Sequence, residues 1–155
     1  MSFAFSPLGA AYLAMLLCPN LLWARAHTAT PDRAAPDENR LLLTLERVGQ
    51  ASTTIAVLFV PAGPSPGPTR LACLGASLLA MVLYEVSWLR YFRTDRTDAS
   101  LYRSLGPVPL PLAILPVVGL LLLAVYELHL LLVGTVVVLG VGHVGVHRGL
   151  AVRAR

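Results

Sequence analysis

Charge is scarce in this sequence, and one kind of it is missing. Only 13% of the 155 residues are Asp, Glu, Lys or Arg, and all twelve basic residues are arginine. Residues 1–24, 104–126 and 128–147 carry no formal charge, histidine protonation aside. With 56% hydrophobic residues and a mean hydropathy of +0.71, such runs exclude a soluble globule, since each meets the roughly 20 residues a helix needs to cross a bilayer. Cysteine is equally sparse. Cys18 and Cys73 both fall inside apolar runs, which excludes a disulfide framework and a CxxC zinc or redox motif and predicts two buried thiols. There is no Walker loop, no GxGxxG and no GxSxG, so the familiar phosphate-binding and serine-hydrolase signatures are absent. A pI near 9.6 would suit nucleic acid, but arginines that cluster beside apolar runs read as topology signals, and no nucleic-acid partner is expected.

What is present is a set of apolar runs that predicts an all-α integral membrane protein, a single transmembrane domain over residues 1–155. Spans are expected at about 3–23, 41–60, 71–90, 108–125 and 128–147. The last two are separate because residues 107–148 would make one helix of about 63 Å against a hydrocarbon core of about 30 Å. The polar break Tyr126-Glu-Leu-His129 is where the chain must turn, and Pro116 is a candidate kink. The lipid bilayer is the expected partner.

Five spans put residues 24–40, residues 91–106 and the C-terminal tail on one side. Eleven arginines lie at or near that side and only Arg70 on the other, which predicts an N-terminus outside and a cytoplasmic C-terminus. Arginine without lysine, with abundant Ala, Leu, Val, Pro and Gly, points to a GC-rich bacterial genome and hence the inner membrane. A cleaved signal peptide ending at Ala24-Arg25-Ala26 is the rival reading. It lacks a basic residue before the apolar run and would export the arginine-rich loops. Leu17 before Cys18 also spoils a lipobox.

Against this apolar background the polar residues stand out. The second span reaches a full crossing only by including Glu46 and Arg47; the third holds Glu85 five residues before Arg90, and the fifth holds His143 before Arg148. Asn20, Glu46, Arg47, Gln50, Glu85, Arg90, His143 and His147 are therefore expected in one polar layer near the cytoplasmic end. Glu46, Gly49, Gln50 and Thr53 share a helix face, as do Gly140, His143 and His147. Ionisable groups at such depth pair with one another or serve a function.

His143 and His147 are four residues apart, the spacing that presents two imidazoles on one side of a helix. Val144 stands where a zinc protease would have its catalytic Glu, so that reading is lost. His143, His147, Glu46 and Glu85 would make a His2Glu2 shell for a divalent transition metal, zinc or iron. A hydrogen-bonded structural network, with His143 bonded to Glu46 or Glu85 and His147 among the headgroups, is the other reading. Proton or ion handling is a third, although no continuous ionisable path crosses the outer half. Bis-histidine haem fits poorly, because His129 and His27 lie far from the pair in the predicted topology.

The run from Tyr84 to Arg93 reads as an interfacial belt of aromatics and arginines, or as a site in which Glu85 and Arg90 hold an anionic head group. The segment Pro31-Asp-Arg-Ala-Ala-Pro36 reads as a disordered connector and Arg93-Thr-Asp-Arg-Thr-Asp98 as a solvated charge run. Gly142, Gly145 and Gly149 would let a neighbouring helix approach closely, within the chain or in a homo-oligomer.

Pro19-Asn20, Leu45-Glu-Arg-Val-Gly-Gln50, Trp88-Leu-Arg-Tyr-Phe92, Pro107-Val-Pro-Leu-Pro111 and Gly142-His-Val-Gly-Val-His147 resemble an uncharacterised family of small five-span bacterial integral membrane proteins. The resemblance covers nearly the whole chain and implies no activity. The expectation is a binding or regulatory membrane protein whose cytoplasm-facing cluster takes a metal, a proton or an anionic head group. The alternatives are a membrane-embedded enzyme using Glu46, Glu85 and His143 in metal-assisted or acid-base chemistry, and a transporter subunit or structural protein.

Overall fold

The computed structural model describes residues 3–26, 39–61 and 63–153. The expected connector at residues 31–36, with Arg33, His27 and the final Arg155, lies outside them. In chain order the elements are β1 (Phe3–Phe5), α1 (Pro7–Ala26), α2 (Arg40–Val57), β2 (Phe59–Pro61), α3 (Pro68–Phe92), α4 (Asp98–Leu101), α5 (Pro111–Tyr126) and α6 (Leu130–Arg153). The protein is mostly helical, and its five long helices fall where the apolar runs predict them. Three of them, at Pro7–Arg25, Pro68–Phe92 and Leu130–Val152, are long and apolar enough to cross a membrane. α5 is apolar but has 16 residues, about 24 Å of rise. α2 carries Arg40, Glu46 and Arg47 among its 18 residues.

Local chemistry sets the helix starts. The Ser6 hydroxyl accepts from Gly9 N at 2.9 Å with Pro7 next in line, and Asn39 caps α2 by accepting from Leu41 N. Pro68 and Pro111 open α3 and α5. Because Ser6 starts α1, the first residues of the expected span form a short strand instead: β1 pairs antiparallel with β2, Ala4 facing Val60. Among the described residues, this two-stranded ribbon and a single antiparallel bridge between Leu105 and Val108 are the β-structure that accompanies the helices.

The long helices form a closed ring. α2 packs along α6, α6 along α5, α5 along α3, and α1 closes the circuit with lighter contacts to α3 and α2. Glycines permit the tightest crossing. A Cβ on Gly142 would collide with the Glu46 backbone, and one on Gly49 with the Leu139 backbone. Gly145 receives Leu42, and Gly140 faces Val117. The close approach expected of Gly142 and Gly145 is thus taken by α2 of the same chain, while Gly149 faces open space.

The core holds Met81, Tyr84, Trp88, Tyr91, Leu120, Leu123, Leu132 and Val136. Tyr84, Trp88 and Tyr91 recur at helical spacing on the buried face of α3. Trp88 lies edge-on to Tyr91 at 5.7 Å and stacks on Phe92 at 5.4 Å. The reading of this run as an interfacial belt is therefore corrected for its aromatics: Tyr84, Trp88 and Tyr91 are buried in an internal cluster, with Phe92 partly covered beside them. The thiols are corrected in the other direction, Cys18 being exposed and Cys73 only partly covered. Large apolar side chains are exposed on each long helix, among them Leu21, Ile55, Leu79, Val118 and Leu131.

Candidate metal centre and interhelical cavity

Glu46 leaves α2 one turn before Gly49, and His143 leaves α6 one residue after Gly142, so the tight glycine crossing sets their separation. His143 Nδ1–H donates to Glu46 Oε1 at 2.6 Å, with both side chains mostly buried. His147, one turn on, lies edge-on to His143 with ring centroids 4.3 Å apart, and Tyr102 flanks its ring at 6.0 Å. One ligand atom each from Glu46, His143 and His147 lies within 4.8 Å of the others. That is a two-histidine, one-carboxylate set drawn from two helices, a donor combination suited to zinc or non-haem iron.

Glu85 does not belong to this group. It sits on α3, which packs on α5 rather than α2, and its Oε1 is buried with no hydrogen-bond partner among the described residues. A like position along its helix does not bring a residue to the site when the helices are not neighbours in the ring. Arg90 also lies outside the cavity lined by the other polar residues: its guanidinium donates to the Ser104 and Arg103 carbonyls at 2.8 and 2.6 Å, fastening α3 to the following loop. The expected His2Glu2 shell is reduced to His2Glu.

Asn20, Arg47, Gln50, His143 and His147 line one cavity of about 690 Å³. Its wall draws on all five long helices, with Leu13 and Leu16 from α1, Tyr84 from α3, Val117 and Leu120 from α5, and Leu139 from α6. Asn20 Nδ2 donates to Tyr84 Oη at 2.9 Å and to the Leu16 carbonyl at 2.7 Å, linking α1 to α3 beside it.

A second polar centre lies at the opposite end, and the sequence reading took it only as a turn. Glu127 and His129 are buried, 6% and 3% exposed. The Ser6 hydroxyl donates to Glu127 Oε1 at 3.2 Å, and Ser6 N donates to the Leu58 carbonyl at 2.8 Å. His129 Nε2 lies 3.1 Å from the Ala56 carbonyl and its Nδ1 accepts from Leu132 N, so Nε2–H is the donor. Burial pushes the Glu127 carboxyl above the usual carboxylate range, with the Ser6 hydrogen bond opposing the shift. Arg70 completes this end, its Nε donating to the Tyr126 carbonyl at 2.7 Å and its Nη1 to the Pro64 carbonyl at 2.9 Å. Deeper in, Tyr12 donates to Ser77, which donates to the Gly119 carbonyl at 2.6 Å, tying α1, α3 and α5. The signal for these contacts was a Glu and a His in the shortest interhelical turn; nothing in the sequence named Ser6 as their partner.

Neither a family model, a curated protein nor a solved structure matches the chain. The fold defines the class, a mostly helical protein with apolar helices fit for a membrane, and the site has to be argued from its own chemistry.

Proposed function

We propose that this is a bacterial inner-membrane protein of five spans, N-terminus outside and C-terminus cytoplasmic, that binds a divalent transition metal, zinc or iron, through Glu46, His143 and His147. The observation that carries the reading is the convergence of three ligand atoms from α2 and α6 within 4.8 Å. A dication replacing the proton held between His143 and Glu46 would let both coordinate, and a carboxylate offsets part of the metal charge in a low-dielectric layer. Glu46 of α2 is engaged by His143 of α6, Arg47 and Gln50 line the cavity, and α5 is buried along much of its length, which supports reading two helices too polar or too short on their own criteria as spans. The eleven-to-one arginine distribution supports the orientation.

Three protein ligands leave a coordination position for water or substrate, and the two histidines line the cavity. This favours metal-assisted chemistry as a second reading. Metal analysis of protein purified in detergent without chelator tests the site. About one equivalent of zinc or iron is expected in the wild type and none in His143→Ala. Wild-type protein that carries no metal after supplementation would overturn the reading and leave a hydrogen-bonded structural network.

A further inference from the structure

The cavity is far larger than a metal ion needs, and its shape is set by how α1 is attached. At the outer end α1 is held firmly. A Cβ on Gly9 would collide with the Val57 carbonyl, Ser6 bonds to Glu127 and Leu58, Tyr12 bonds to Ser77, and β1 pairs with β2. Towards the inner end the cavity separates α1 from α2. Leu17 and Asn20 on one side and Arg47, Gln50, Ala51 and Thr54 on the other line it while remaining exposed. The mouth therefore opens sideways between two helices, facing the region that lipid occupies around a membrane bundle.

The lining is graded along the same axis. Near mid-helix depth stand Leu13, Leu120 and Leu139, with Leu16 and Val117 beside them and the Thr53 and Thr54 hydroxyls on the α2 wall; nearer the inner end stand Asn20, Arg47 and His147. An occupant must match both halves, apolar along its length and polar at one end. Glu46 is already engaged by His143, so the Arg47 guanidinium favours a negative end group. A volume of about 690 Å³ falls among sites of roughly 300 to 1,000 Å³ that take one drug-sized molecule, room for a single chain rather than a whole two-chain phospholipid.

We propose that the cavity binds a single-chain anionic amphiphile of the fatty-acid type, taken laterally from the bilayer between α1 and α2, its chain against Leu13, Leu16, Val117 and Leu120 and its carboxylate at Arg47. The proposal does not require the metal, although the cavity's polar end is shared with His143 and His147 and the reading assumes that α1 and α2 lie in the membrane.

The test uses the full chain in phosphatidylcholine nanodiscs with palmitate carrying a mid-chain diazirine, and the equivalent uncharged hexadecanol as control. Photolysis is expected to label Leu13, Leu16, Val117 and Leu120, in competition with unlabelled palmitate, whether or not chelator is present. Filling the mouth with Ala51→Trp or Leu17→Trp should abolish the competed labelling, while Arg47→Gln should weaken competition about tenfold, the loss of one charge-assisted contact. Leu17, Ala51 and Arg47 are all exposed, so none of the changes removes a buried contact. Labelling confined to outward residues such as Val118 and Leu131 would overturn the proposal. So would hexadecanol labelling the cavity equally with no effect of Arg47→Gln, which would show a neutral lipid instead. Loss of labelling in chelator alone would show that the metal, not Arg47, holds the head group, and would likewise reject it.

Discussion

Gly142 rests directly on the Glu46 backbone, closely enough that a β-carbon at position 142 would collide with the Glu46 nitrogen. The contact that joins α6 to α2 is thus one residue from His143 and at the very residue that His143 bonds. Helix packing and the candidate metal site are the same piece of geometry.

Gly142→Ala should therefore damage both. Overpacking of a tight contact costs about 1–3 kcal/mol, and the displaced backbone would separate Glu46 from His143. Thermal unfolding in detergent should show a lower Tm together with reduced metal retention. Gly149→Ala, on the same helix but facing open space, should leave both unchanged.

The Glu46–His143 bond should be measurable without any metal. In chelator, a double-mutant cycle with Glu46→Ala and His143→Ala is expected to give a coupling of about 1.5–3 kcal/mol, the range for a hydrogen bond to a charged group. Strictly additive losses would show that the two side chains do not interact.

Glu127 should make stability fall as pH rises. Its carboxyl titrates above the usual range because it is buried, so over the interval between the ordinary and the raised value the folded state holds a proton that the unfolded state has released. Stability is full below that interval and is lost through it at up to about 1.4 kcal/mol per pH unit. Glu127→Gln keeps an acceptor for the Ser6 hydroxyl without the charge. Its Tm should exceed that of the wild type at the upper end of the interval and show less dependence on pH.

Leu128 occupies the left-handed region with φ 53°, which lets α5 pass into α6 through three residues. Glycine adopts this conformation freely, whereas other residues incur roughly 1–2 kcal/mol. Leu128 is 53% exposed, so little packing is forfeited, and Leu128→Gly should raise the Tm. A fall would mean that the leucine side chain contributes more than its backbone strain costs.

The topology makes a prediction independent of the site. A reporter that matures only in the cytoplasm should be active when fused at Thr97 or after Arg155 and silent at Ser65. Activity at Ser65 would invert the proposed orientation.

The helices were legible because apolar runs broken by Pro, Gly and charge leave few other solutions in a chain this poor in charge. Glu46, His143 and His147 were legible too, since helical spacing assigns each to a face. Which faces meet was not legible. Glu85 matches Glu46 in depth but lies on a helix that packs elsewhere in the ring, and depth contains no information about angular position. For the same reason Trp88 read as a lipid anchor, an aromatic near a helix end being alike in sequence whether it points inward or outward. Ser6 and Glu127 are 121 residues apart, and no local pattern connects a helix cap to a distant turn.

The order of the ring differs from the order of synthesis. α2 and α3 are consecutive along the chain, yet α2 finds its main partner in α6 and α3 finds its own in α5. With α2 in the membrane, as proposed, Glu46 would enter the bilayer before the helix that carries His143 is made. A nascent chain stalled after Tyr126 would hold an unpaired carboxylate and an open flank on α2, features by which membrane quality control can distinguish an unfinished molecule from a finished one.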